Sequence, residues 1–312
     1  LRNYRTNAQI GDSDLVVVEA DEYSRALLSL EPFVSVVLNV EFDHPDIYAD
    51  MDDLLGTFRQ FVSQTRQGGK VLLCADCRNA RSLRDASLTE VQTFGHAPHA
   101  QWRILPTGSD TGPFEGATPT GQTVTINPPT VGRHYRLNAC AAVAACAAVG
   151  VAPERAAELV AKSRGTRRRF ELLCDTGGLR VVDDYAHHPT EVRATVQAAK
   201  SLGGRLRVVY EPHQYARNRA LIQDYAGVFE GADEVYVVPI YIAREHDLSG
   251  VSHELIAQAA RGRNVTAIES QQDAFDLLTS SAGEHETWLL MGAGTVTTLA
   301  HRLADWVREQ RG

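Results

Sequence analysis

From about residue 170 onward, short apolar runs alternate with stretches of helical spacing. The runs end at Asp183, Glu211, Tyr241, Glu269 and Met291, and helical patterns such as 191–202 and 218–229 follow most of them. Such short, continuously apolar runs predict strands buried on both sides of a mostly parallel sheet, with helices on both faces. This is a Rossmann-like α/β arrangement. In open α/β sheets, ligands bind outside the carboxyl ends of the strands, so the residues just after each run are where function is to be sought.

The first half reads as α/β too, but less regularly. Residues 15–18, 34–40 and 70–73 predict strands, and residues 54–62 carry helical spacing. Residues 96–130 are rich in Gly, Pro and Thr, which predicts loops and short hairpins. Residues 138–149 are almost all Ala, Cys and Val, the composition of a tightly packed buried helix. Residues 163–169, Ser-Arg-Gly-Thr-Arg-Arg-Arg, form a polar, basic junction. With 312 residues, 44% of them hydrophobic, there is material for about two domains. The boundary is placed at the junction, giving 1–164 and 165–312.

A formal net charge of −8 argues against a general nucleic-acid binder, which is usually basic. No apolar run approaches the ~20 residues of a membrane span, and no signal peptide is visible. Five cysteines do not form an even disulfide framework, so a reducing, cytoplasmic setting is expected. Cys74 and Cys77 make a lone Cys-x-x-Cys without the second pair of a structural zinc site; they read as small residues after a strand.

Three strand ends in the second half are polar in a coordinated way. The densest is Asp183-Asp184-Tyr185-Ala186-His187-His188-Pro189-Thr190-Glu191. Burying so many titratable groups unpaired is costly, so a functional site is expected there. The structural alternative is a helix cap made by Thr190 or Asp184. The others are Glu211-Pro212-His213-Gln214-Tyr215-Ala216-Arg217 and Tyr241-Ile242-Ala243-Arg244-Glu245. If these strands are neighbours, their ends line one crevice. An Arg with two His suits an amino acid: a guanidinium takes a carboxylate through two parallel bonds, and a neutral imidazole accepts or positions an amine proton.

Other features are weaker. Gly292-Ala293-Gly294 opens a helix after a strand and can present N–H groups to an anion, but Thr297 stands where a dinucleotide fingerprint has its third glycine, which favours a tight turn. In the first half, Glu19 and His44 each follow a strand, and such a pair is a candidate for a divalent cation, although Mg²⁺ prefers oxygen ligands. Arg167, Arg168 and Arg169 suit a phosphate or simply solvent.

Taken together, these segments resemble the Mur ligases, the ATP-dependent amide-forming enzymes of peptidoglycan synthesis. The resemblance is carried by Glu19-Ala20-Asp21-Glu22, by Asn39 with Asp43-His44-Pro45-Asp46-Ile47-Tyr48, and by Gly132-Arg133-His134 with Leu137-Asn138-Ala139. Arg168-Arg169-Phe170, the double-histidine motif, His213-x-Tyr215-x-Arg217 and Gly292-Ala293-Gly294 complete it in the family's order. The double histidine with the later His-x-Tyr-x-Arg is most like the alanine-adding branch.

The resemblance implies a three-domain enzyme that joins L-alanine to UDP-N-acetylmuramate using ATP and Mg²⁺. It makes residues 1–164 a partial central ATP-binding domain and residues 165–312 the amino-acid domain. It implies Glu19 and His44 at Mg²⁺, Asn138 at adenine, Asp184 at ribose and Arg169 at the phosphates. Tyr185, His187, His213 and Arg217 would form the L-alanine site, with His187, His213 and Arg217 as the catalytic set. The family's phosphate loop of the Gly-Lys-Thr type has no counterpart here: in Gly68-Gly69-Lys70-Val71 the lysine begins a strand and no Ser or Thr follows. The chain therefore reads as an N-terminally truncated ligase, expected to be inactive alone.

Three departures stand out. Tyr135 replaces the family's Asn after His134, Gln214 replaces an Arg, and residues 45–69 hold no Lys. A muropeptide recycling ligase taking a tripeptide is the nearest alternative, though His213-x-Tyr215-x-Arg217 is not expected of it. A non-catalytic binding module and a nicotinamide oxidoreductase are the alternatives from other classes.

Overall fold

The computed structural model describes residues 2–4, 6–109, 111–246 and 250–312. It falls into two compact units, Asn3–Arg164 and Gly165–Gly312.

The first unit holds β1 (Val34–Val37), α1 (Met51–Ser63), β2 (Lys70–Cys74), α2 (Arg78–Arg81), β3 (Glu90–Gly95), β4 (Trp102–Ile104), β5 (Phe114–Ala117), β6 (Thr123–Ile126), α3 (Arg133–Ala148) and α4 (Pro153–Ala161). Its sheet runs in chain order from β1 to β6. Strands β1 to β4 are parallel, and β4, β5 and β6 form antiparallel hairpins. The Ala- and Cys-rich α3 buries Ala139, Cys140, Ala141, Val143 and Ala144. Small side chains let the helix approach the sheet closely, which explains its composition. Cys77 is the N-cap of α2, and its Sγ accepts from the Ala80 N–H at 3.4 Å.

Residues 15–18 depart from expectation. They form no strand, and Val16 and Val17 are 85% and 98% exposed. β-branched residues favour a strand only where a neighbour supplies ladder bonds and packing, and this run has neither among the described residues. The predicted strand 34–40 is also shorter, ending at Val37.

The second unit holds β7 (Glu171–Thr176), β8 (Leu179–Asp184), α5 (Pro189–Lys200), β9 (Arg205–Tyr210), α6 (Tyr215–Ala220), β10 (Glu234–Val237), α7 (His253–Ala259), β11 (Val265–Ala267), α8 (Gln271–Ser280), β12 (Glu286–Met291) and α9 (Val296–Arg311). The sheet order is β11-β10-β9-β12-β8-β7, parallel except for the edge strand β7. Every residue of β12 is buried, as its central place requires. Because β12 lies between β8 and β9, the chain crosses over it after β8, and the ends of β8 and β9 flank this crossing point. A crevice at such a crossing is where open α/β sheets bind ligands.

The predicted strand ends at Glu211, Tyr241 and Glu269 overshoot. The ladders stop at Tyr210, Val237 and Ala267, and the next residues enter loops. The predicted helix over 218–229 is also interrupted. α6 ends at Ala220, and a 3-10 turn over Ile222–Tyr225 follows. The buried Asn218 side chain turns back to the carbonyls of His213 and Gln214, a local alternative to helix continuation.

Candidate functional site

In the second unit the opening carboxylates of the double-histidine motif face inward. Asp184 is 3% exposed. One of its oxygens accepts from the Phe170 N–H at 2.6 Å, and the other from the Ala186 N–H at 2.8 Å and the Thr195 hydroxyl at 3.3 Å. Burial pushes its carboxyl up to about 6 despite these donors. Asp183 is fully buried, accepts from the Thr297 hydroxyl at 2.6 Å, and is likewise raised by burial. The structure therefore uses Asp184 to clamp the loop that follows β8.

The two histidines divide their work. His188 is the N-cap of α5: its Nδ1 accepts from the Thr190 N–H at 3.2 Å, and Glu191 closes a capping box. Pro189 at the first helical position completes this start. Capping thus falls to His188, not to Thr190 or Asp184. His187 points elsewhere. Its Nδ1 lies 2.9 Å from the Tyr185 carbonyl oxygen. A carbonyl only accepts, so this contact puts the proton of a neutral His187 on Nδ1 and the lone pair on Nε2. Glu191 lies 3.4 Å from the same Nδ1. Burial works to raise the Glu191 carboxyl, but His187, two backbone N–H groups and Arg169 outweigh it and hold it below the usual range.

His213 approaches from the end of β9. The His187 and His213 rings are 5.6 Å apart at 69°, and His213 stacks on Tyr241 at 5.7 Å. The Arg217 guanidinium donates to His213 Nδ1 at 2.9 Å. Nδ1 is then the acceptor, and the proton of a neutral His213 sits on Nε2. The two imidazoles are complementary: one offers a lone pair, the other an N–H. Tyr185 makes an edge contact with His187 at 5.3 Å, and its ring carries the Arg168 and Arg169 guanidinium carbons at 4.8 and 5.1 Å. Tyr185, His187, His213 and Arg217 are thus brought together by the structure, with Arg169 alongside.

Just beyond the Gly-Ala-Gly turn, an internal carboxylate occupies the start of α9. Glu211 is 3% exposed and accepts from the Gln271 amide at 2.8 Å, the Thr295 hydroxyl at 2.7 Å and the Val296 N–H at 3.1 Å. This carboxylate sits at the N-terminus of α9, the position favoured by the helix dipole. The turn needs its glycines: Gly292 has φ +150°, and a Cβ on Gly294 would lie 2.4 Å from both Glu211 and Tyr241 side-chain atoms.

In the first unit the two expected cation ligands lie in different surroundings. Glu19 is exposed, while His44 Nε2 lies 3.3 Å from Glu22 and 3.7 Å from Asp43. The hydrogen bond from His44 holds the Glu22 carboxyl below its usual range. Tyr48 donates to the Glu22 carbonyl at 2.6 Å, and Tyr23 lies 5.1 Å from the His44 ring. No group of three or more His, Cys, Asp or Glu side chains is arranged to hold a metal among the described residues. The carboxylates beside His44 are those of Glu22 and Asp43, while Glu19 faces solvent. Asn138 is exposed on α3, and Tyr135 packs beside His134 at 4.2 Å.

Sequence reasoning missed three groups. Glu22 was part of a quoted motif, but nothing in its spacing distinguishes it from Glu19. Glu211 and the Tyr210–Tyr225–Asn218 cluster are tied to the site only by the fold.

Comparison with known proteins decides the family. Residues 4–146 match the model of the Mur ligase middle domain, and residues 168–294 match that of the Mur ligase, glutamate ligase domain. A UDP-N-acetylmuramate–L-alanine ligase of Rubrobacter xylanophilus is 35% identical over 97% of this chain and 69% of its own length. The chain belongs to the Mur ligase family. A relative of the same name from Pelodictyon phaeoclathratiforme is 38% identical over 96% of the chain and 65% of its own length. The chain thus spans about two thirds of the relatives it matches. Among solved structures, the UDP-N-acetylmuramate-alanine ligase of Thermotoga maritima aligns with TM-score 0.72 at 21% identity, over 91% of this chain and 61% of that one. A murein peptide ligase of Psychrobacter arcticus gives 0.60 at 22%, over 90% and 58%. These two support the Mur ligase fold of both units.

Proposed function

We propose that this chain is the catalytic part of a Mur ligase that adds L-alanine to UDP-N-acetylmuramate, and that the second unit supplies the alanine site. The observation that carries the reading is the convergence of Tyr185, His187, His213 and Arg217 beyond β8 and β9. The names of the relatives supply the substrate pair. ATP, when bound, supplies the phosphoryl group that turns an unreactive carboxylate into an acyl phosphate.

The residues of this chain account for the other half of the reaction. An amine must lose a proton to attack a carbonyl carbon. His187, with its lone pair on Nε2, is oriented by the Tyr185 carbonyl to accept that proton or hold the amine by it. His213 offers Nε2–H to a carboxylate, and the Arg217 guanidinium behind it fixes the tautomer and adds positive charge. A small zwitterion thus meets an acceptor on one side and donors on the other. Arg169, exposed at the rim over Tyr185, is the cation available to a phosphate group. Glu19 and His44 take no step in this scheme.

The test is product formation. A protein carrying this chain and its family's phosphate loop should release ADP only with both UDP-N-acetylmuramate and L-alanine. His187→Ala in it should lower kcat/KM about 10²–10⁴-fold, the usual worth of a positioned acid–base group. The 312-residue chain alone should release none. Turnover by the short chain, or preference for a tripeptide over L-alanine, would overturn the corresponding part of the reading.

A further inference from the structure

Behind the two site histidines lies a buried polar chain. The Tyr210 hydroxyl donates to the His187 carbonyl at 3.0 Å. It also lies 2.7 Å from the Tyr225 hydroxyl, which takes a share of the same proton, because Tyr225 directs its own at Asn218. Tyr225 donates to Asn218 Oδ1 at 2.6 Å. The Asn218 amide donates to the His213 carbonyl at 3.1 Å and the Gln214 carbonyl at 2.5 Å. Tyr210, Asn218 and Tyr225 are each at most 1% exposed.

Two phenols and an amide are a costly way to fill a core, since each polar group needs a partner. Here the partners are the main-chain carbonyls of His187 and His213 themselves. The far end of the chain also holds an unfavourable backbone. Gln214 has φ +66° and ψ 137°, a region that non-glycine residues rarely adopt and that persists only where surroundings enforce it. The second restraint on this turn is the Gln214 N–H, which donates to the Tyr241 carbonyl at 2.9 Å.

We propose that Asn218 and Tyr225, acting through Tyr210, are positioning residues that lock the His187 and His213 loops into one register for the incoming amino acid. The inference rests on the function proposed above only for the ligand. The coupling of the two loops stands on the geometry. The chain is also polarised: Asn218 holds the His213 end directly, while Tyr210 holds the His187 end and can keep that bond when Tyr225 loses its hydroxyl.

The experiment follows both rings. Imidazole NMR of the 312-residue chain, with a thermal melt as the folding control, is recorded for Asn218→Ala and Tyr225→Phe. Asn218→Ala should move the His213 resonances and their pH titration and break the Arg217–His213 bond, with a smaller change at His187. Tyr225→Phe should move both less. Unchanged His213 spectra in a folded Asn218→Ala variant would overturn the proposal, as would equal shifts at histidines remote from the site, such as His285 and His301. If Asn218→Ala does not fold, Tyr225→Phe decides alone. In the longer, active protein, Tyr225→Phe should raise the KM for L-alanine about tenfold while kcat falls less than about threefold, since the lost restraint acts on binding. An unchanged KM with moved His213 spectra would overturn the alanine assignment and leave the coupling standing.

Discussion

The two units treat their strand ends differently. In the second, the residues after β8 and β9 are buried or half-buried, capped and paired, and four expected site side chains meet. In the first, Glu19 lies exposed just after the expected strand at 15–18, and His44 is paired with Glu22 instead. Both units carry family motifs in order. What separates them is the ladder beneath: β8 and β9 are each bonded to β12, whereas residues 15–18 have no strand neighbour among the described residues. A motif names the groups, but the sheet under it decides whether they converge.

Substitution at the Gly-Ala-Gly turn probes the more ordered side of that contrast most severely. Gly292→Ala combines a positive φ with a Cβ placed 2.6 Å from the Glu211 carbonyl oxygen. It should destabilise the second unit by about 2–4 kcal/mol, from backbone strain and overpacking together. Denaturant melts followed at the three tryptophans separately would register this at Trp288 and not at Trp102. A coincident loss at both would show that the units do not melt independently.

Acid should act with opposite sign on Asp184 in the second unit and Glu22 in the first. A carboxyl whose folded pKa lies above its unfolded value binds its proton more readily in the native state. Asp184, raised to about 6, therefore favours folding as pH falls from 7 to 4. Relative to Asp184→Asn, the parent should gain up to about 2–3 kcal/mol over that range. Glu22 runs the other way: lowered by His44, its contribution is present above the ordinary glutamate range and is lost on acidification. Stability curves of parent and Asp184→Asn that stay parallel between pH 7 and 4 would remove Asp184 from the contrast.

The smallest expected effect is a gain in the first unit. Gly56 lies inside α1, and a Cβ added there would meet nothing within 4 Å. Gly56→Ala should stabilise that unit by about 0.5–1 kcal/mol, the helix-propensity difference. No change in the Trp102 transition would mean that α1 is already formed in the denatured reference.

Much of this was legible in the sequence because it rests on short-range patterns. The alternation after residue 170 pointed to the parallel sheet and the polar strand ends to a site, while the choice of Tyr185, His187, His213 and Arg217 came from the family resemblance. Three things were hidden for physical reasons. β-branched propensity at residues 15–18 looks the same with or without a partner strand. The choice between Glu19 and Glu22 depends on which turn residue meets His44, and that turn includes Ser24 and Arg25 at positive φ, a conformation that neither residue type advertises. Asp184 resembles a ligand-facing carboxylate until the Phe170 and Ala186 N–H groups are found on it. Pattern shows that a residue is polar and placed at a strand end; only packing shows which way it turns.

Glu211 carries a consequence for how the protein responds to its surroundings. A helix N-terminus open to phosphate couples stability to ligand by mass action, so each decade of free ligand above Kd adds about 1.4 kcal/mol. Here an internal carboxylate holds that seat, bonded at 2.7–3.1 Å to Thr295, Gln271 and Val296. The Val296 N–H and the Thr295 hydroxyl, which an outside anion would use, are thus already engaged from within the chain.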